Sequence, residues 1–103
     1  MASEEGQAAN NVVVGIAVLA GIAAGDALCL VATGSRYPGT DHAEAARYLG
    51  TVNREHGKYL STLVRLKPQA HYGAGFINEQ ERTSARRAAE ALVEAAKLST
   101  ALG

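Results

Sequence analysis

Apolar and polar positions divide the chain into four stretches with different spacing. From Val12 to Thr33 nearly every residue is apolar, interrupted by Gly25-Asp26. That run is long enough to cross a membrane. Three features oppose the membrane reading: Asp26 lies inside it, where a charge is costly in lipid, no aromatic belt flanks both ends, and Ala and Gly dilute it. A helix apolar all round is also what the centre of a bundle requires. The run is therefore expected to be a buried core helix, with no membrane involved. Gly15 and Gly21 would let neighbouring helices come close, at some loss of helix propensity.

The second periodic stretch follows a loop, Gly34-Ser35-Arg36-Tyr37-Pro38-Gly39, punctuated by Pro and Gly. The loop lacks the Gly spacing and Lys-Ser/Thr of a phosphate cradle. Asp41 reads as an N-cap with Glu44 three residues on, and Ala45, Ala46, Leu49 and Val52 mark one helical face. Asn53 to Gly57 is polar and reads as a connection. A third helix is expected from Gly57 or Lys58, burying Tyr59, Leu60, Leu63, Val64 and Leu66. Pro68 removes a backbone donor and disfavours helical geometry at Lys67, so a kink or break is expected there, with Gly73-Ala74-Gly75 as the end. Asn78 and Glu81 form a second capping pair. Behind them Ala85, Ala88, Ala89, Leu92, Val93 and Ala96 make the clearest stripe in the chain. Glu90, Glu94 and Lys97 read as its solvated face.

The pattern predicts an all-α protein, a four-helix bundle around one long apolar central helix. With 103 residues the chain makes one domain, 1–103. Residues 1–10 are polar and acidic, lack the positive start of a signal peptide, and read as a flexible N-terminal segment. Hydrophobic residues make up 48%, but with one Phe, no Trp and abundant Ala the core must be thin. Val, Ile and Thr are too few and too clustered for a sheet of several strands.

Formal charge is zero, which excludes a domain-wide nucleic-acid footprint. The charges are unevenly placed, however. Residues 1–35 have no Lys or Arg, whereas Arg36, Arg47, Arg54, Lys58, Arg65 and Lys67 outnumber Asp41, Glu44 and Glu55 over 36–72. A local basic face is consistent with that. The lone Cys29 excludes an internal disulfide and fits a reducing, cytoplasmic compartment. His42, His56 and His71 show no ligand spacing with it, so neither a metal nor another cofactor is expected.

Candidate chemistry lies in Arg65-Leu66-Lys67-Pro68-Gln69-Ala70-His71-Tyr72. An imidazole can take a proton from a ribose 2′-hydroxyl or give one to a leaving oxygen near neutral pH. An arginine offers permanent charge and a forked donor array to a phosphate gaining charge. Residues six apart on a straight helix stand about 120° from facing each other. Arg65 and His71 would therefore converge only through a bend at Pro68 or across a dimer. Lys67, Tyr72 and Asp26 are candidate supporting groups. Asp26 needs a partner if buried: either a structural hydrogen bond to a neighbouring helix or, more sharply, a group in Arg65–Tyr72 that it orients. Arg36 and His42 share the Arg–His spacing, across a loop and a helix start, and read most simply as exposed residues.

From Gly15 to Ala96 the chain resembles the HEPN superfamily of small helical domains. The residues that carry the likeness are Ala24-Gly25-Asp26-Ala27-Leu28-Cys29, Asp41-His42-Ala43-Glu44-Ala45, Arg65 to Tyr72, and the Asn78-capped helix. Arg65 and His71 match the family signature of an arginine, four to six residues, then a histidine, at the expected place in the helix order. Leu66 stands where a polar residue usually follows the arginine. The resemblance implies a homodimer with both Arg–His pairs near the interface. It also implies metal-independent cleavage of RNA in many members, with a nucleotidyltransferase-like antitoxin as partner, and a non-catalytic interaction or nucleotide/RNA-binding module in others.

Overall fold

In the computed structural model four helices follow in order: α1 (Glu4–Thr33), α2 (His42–Val52), α3 (Arg54–Tyr72) and α4 (Glu79–Leu102). The structure describes residues 4–73 and 75–102, without the side chains of Glu4, Glu5, Tyr72 and Leu102. No strand occurs among the described residues. The architecture is a four-helix bundle. α1 and α3 lie against each other and against both remaining helices, while α2 and α4 stand apart on opposite flanks. At about 1.5 Å per residue α1 is about 45 Å long, matching the molecule's longest dimension of 44 Å.

The inner face of α1 buries Val14, Ala17, Val18, Ala24, Leu28 and Cys29. Gly21 lies directly against Leu63, and Gly25 meets Leu60 and Leu49, so Leu side chains from α2 and α3 fill the space a side chain would have taken. The opposite face of α1 is not buried: Val12, Ile16, Leu19 and Leu30 are 53–64% exposed. The bundle covers one side of this helix only. Gly6–Thr33 is long and apolar enough to cross a membrane by length and composition, and half of its most apolar window is buried within the fold.

Three local expectations need correction. Of the segment expected to be flexible over 1–10, residues 4–10 are helical, and 1–3 lie outside the described residues. The helical part is tied down because Asn10, 2% exposed, donates its Nδ2 hydrogen to the Ile77 carbonyl at 3.1 Å. The connection expected over Asn53–Gly57 shrinks to Asn53. Its extended backbone ends α2 through an N–H donated to the Leu49 carbonyl, and its side chain accepts from His56 N–H to start α3. Arg54 to His56 are polar because they form the exposed side of the first turn of α3. Finally, α3 runs unbroken through Pro68 to Tyr72. One missing donor is a local loss, and the helix is anchored on both sides of it by buried Leu63 and Leu66 and by Ala70 against the core. Gly73 then stops it, with a left-handed φ of 65° and an N–H that closes onto the Pro68 carbonyl.

The remaining caps follow the sequence. Asp41 accepts from the N–H groups of Ala43 and Glu44 at 2.9 and 3.4 Å. Asn78 and Glu81 bond reciprocally, side chain to backbone, at 2.7 and 3.1 Å. Leu49, Leu63, Leu92, Val14, Val18 and Ile77 are the largest apolar side chains fully inside. Ile77 comes from the α3–α4 loop, which it pins to the core.

Candidate functional site

Arg65 and His71 share one continuous helix, separated by about 120° around its axis and about 9 Å along it. Ideal helix geometry therefore does not bring them together within the chain, and α3 does not break between them. Arg65 is exposed and makes no ion pair among the described residues. His71 is exposed on the last turn of α3, with its ring beside Gly15 of α1: a methyl group on Gly15 would lie 3.8 Å from His71 Nε2. That is ordinary van der Waals distance, so an alanine at position 15 would touch the imidazole without displacing it. Lys67, one turn before His71 and half-buried, shares its helix face. The Tyr72 side chain lies outside the described residues.

Asp26 is not available to this group. It sits eleven residues beyond Gly15 on α1, about 16 Å along the axis. There it lines a polar cavity of about 520 Å³ with Arg36, Tyr37, Pro38, Gly39, Thr40 and His42. It makes no hydrogen bond or ion pair to a neighbouring helix among the described residues, so the structural-bond expectation is not met either. Its carboxylate acts locally on Cys29: burial pushes the thiol pKa up, and the negative charge of Asp26 adds to the rise. Arg36 and His42, the second pair with five intervening residues, are the ones the fold brings to a common cavity.

Two further features escaped the linear reading. The exposed residues Val12, Ile16, Leu19, Ala23 and Leu30 form one row along α1. From Val12 to Ala23 the spacing is four, three, four, that of a helix presenting a seam to another helix, whereas Asp26 beyond them lines the polar cavity. A continuous apolar run has no period to show which side faces out, so only the fold reveals the row. Beside it, α1 and α4 leave an apolar groove of about 720 Å³, floored by Val13, Ile16, Ala20, Ala89 and Val93 and rimmed by Arg86, Glu90, Glu94 and Lys97. Among the described residues no three His, Cys, Asp or Glu are grouped to hold a metal ion. Comparison with known protein families, with curated proteins and with solved structures finds no match to this chain.

Proposed function

We propose that the chain is a HEPN-like domain that functions as a homodimer joined through the outward face of α1. The observation that carries this is the exposed apolar row from Val12 to Leu30, with His71 at its border against Gly15. Among the described residues five of the eight large hydrophobics that stand exposed belong to α1, a concentration that marks an interaction surface rather than scattered surface residues. Seam spacing from Val12 to Ala23 favours another helix as the cover, and the charge of Asp26 between Ala23 and Leu30 disfavours lipid.

In that dimer RNA is the substrate class and the reaction is metal-independent phosphodiester cleavage. His71 removes the 2′-hydroxyl proton and returns a proton to the leaving oxygen, while Arg65 stabilises charge on the phosphate. Because ideal helix geometry keeps the two apart on one helix, each site in this reading draws Arg65 from one protomer and His71 from its partner. Cleavage of single-stranded RNA in the presence of EDTA, lost in His71→Ala, is the expected result. Uncut RNA across varied sequences, or cutting that survives the substitution, sinks the catalytic part. A nucleotidyltransferase-like antitoxin is the protein partner that goes with this reading.

The same geometry supports a second reading, a non-catalytic dimeric module. Leu66 is buried rather than polar, and ideal helix geometry keeps Arg65 and His71 apart within the protomer. This reading predicts an intact dimer and intact partner binding in Arg65→Ala and His71→Ala.

A further inference from the structure

The cavity beside Asp26 holds an unused set of polar groups. Asp26 comes from α1, Arg36 and Tyr37 from the loop after it, and His42 from the first turn of α2. Asp26 and Arg36 carry opposite charges and line one space, yet neither has an ion-pair partner among the described residues. The walls are held by specific contacts. The Thr33 hydroxyl lies 2.8 Å from the Cys29 carbonyl and 2.7 Å from that of Ser35, fixing the exit of α1. The Tyr37 ring leans on Tyr48, with centroids 5.9 Å apart, and folds over Gly39, where a methyl group would come within 2.6 Å of it.

The geometry points to a nucleotide-binding site that takes a guanine ribonucleotide. Its phosphate meets Arg36 and His42, its base lies along Tyr37, and the paired N–H donors of the guanine edge meet the two oxygens of Asp26. The arginine fork suits a phosphate, and an ionised carboxylate is acceptor-only, so it selects a base edge rich in donors. A volume of about 520 Å³ falls within the range of small-molecule sites, roughly 300–1,000 Å³. One carboxylate and one imidazole are too few for a metal site. This site does not depend on Arg65 or His71.

The ligand has two sources, a free nucleotide or an unpaired guanosine within RNA. Titration calorimetry with GMP, AMP, UMP, guanosine, inorganic phosphate and the pentamers UUGUU and UUAUU separates them, with amide NMR to locate the shifts. GMP is expected to bind at least about tenfold more tightly than AMP, UMP or guanosine, the usual weight of one charge-assisted contact. Amide shifts should centre on Asp26 and residues 36–42. Arg36→Ala should erase the advantage of GMP over guanosine, and Asp26→Asn its advantage over AMP. Both residues are unpaired, so circular dichroism should show both variants folded. Gly39→Ala, which displaces the Tyr37 ring and leaves Asp26, Arg36 and His42 unsubstituted, should also weaken GMP. UUGUU binding at least as tightly as GMP assigns the site to RNA; GMP binding with a silent pentamer assigns it to the free nucleotide. Absence of GMP binding at millimolar concentration, inorganic phosphate binding as tightly as GMP, or base preference unchanged in Asp26→Asn overturns the proposal.

Discussion

Gly57 of α3 lies against the backbone of Gly50 in α2, and the relation is unequal. A methyl group on Gly57 would sit 2.8 Å from Gly50 N and 3.1 Å from the Ala46 carbonyl oxygen. One on Gly50 would find only the Gly57 Cα, at an ordinary 3.8 Å. Backbone cannot swing aside as a side chain can, so Gly57→Ala should force the helices apart and destabilise the fold by about 1–3 kcal/mol. Gly50→Ala should leave stability unchanged or raise it by up to about 1 kcal/mol, through better helix propensity. Urea unfolding of the two variants checks this; equal midpoints would remove the close crossing.

The exposed row on α1 makes a prediction about mass. The native chain should sediment as two 10.7 kDa subunits, and Ile16→Glu, which puts a charge in the middle of the row, should sediment as one. Ile16 is 64% exposed, so its helix content should barely change, while the unfolding midpoint should lose its dependence on protein concentration. A native monomer at micromolar concentration refutes the α1 interface.

Subunit mixing tests how Arg65 and His71 meet. Arg65→Ala and His71→Ala dimers should each be inactive on RNA, and activity should return when the two are unfolded together and refolded. A mixed dimer then keeps one site with both groups intact. Continued silence of the mixture would place both residues of a site in one protomer, or remove them from catalysis.

Cys29 sets a pH dependence. Burial, with Asp26, raises the thiol pKa in the folded state, so the native protein holds its proton at pH values where the unfolded chain has released it. The unfolded state binds fewer protons in that window, and stability must fall with rising pH there. The contribution is complete below the unfolded thiol's pKa and is lost as pH climbs through the folded value. Cys29→Ala should flatten this alkaline limb in urea unfolding, and iodoacetamide should label native Cys29 far more slowly than the unfolded chain.

Short-range signals were legible and long-range ones were not. The Asn78–Glu81 box and the Asp41 cap depend on residues three apart, and both form as their spacing implies. The α4 stripe likewise places Ala85, Ala88, Ala89 and Leu92 in the core. Residues 1–10 misled because what orders Asn10 is a carbonyl 67 residues away. Pro68 misled because its local effect was weighed without the packing of Leu63 and Leu66. The Arg65–His71 spacing specified an angle, which the helix keeps, but not a partner. Asp26 shows the converse. Its need for a polar neighbourhood was plain, yet only the path of the 34–41 loop decides that Arg36 and His42 supply it.

The placement of α1 has a consequence for how the protein is made. Its longest helix emerges from the ribosome before the other three, while the helix that covers its other flank, α4, follows all of them. At roughly 5–20 residues per second, several seconds separate the two. During that interval a 28-residue apolar segment has no native cover on one flank. Transient cover of that flank during those seconds would keep it from associating with other incompletely folded chains.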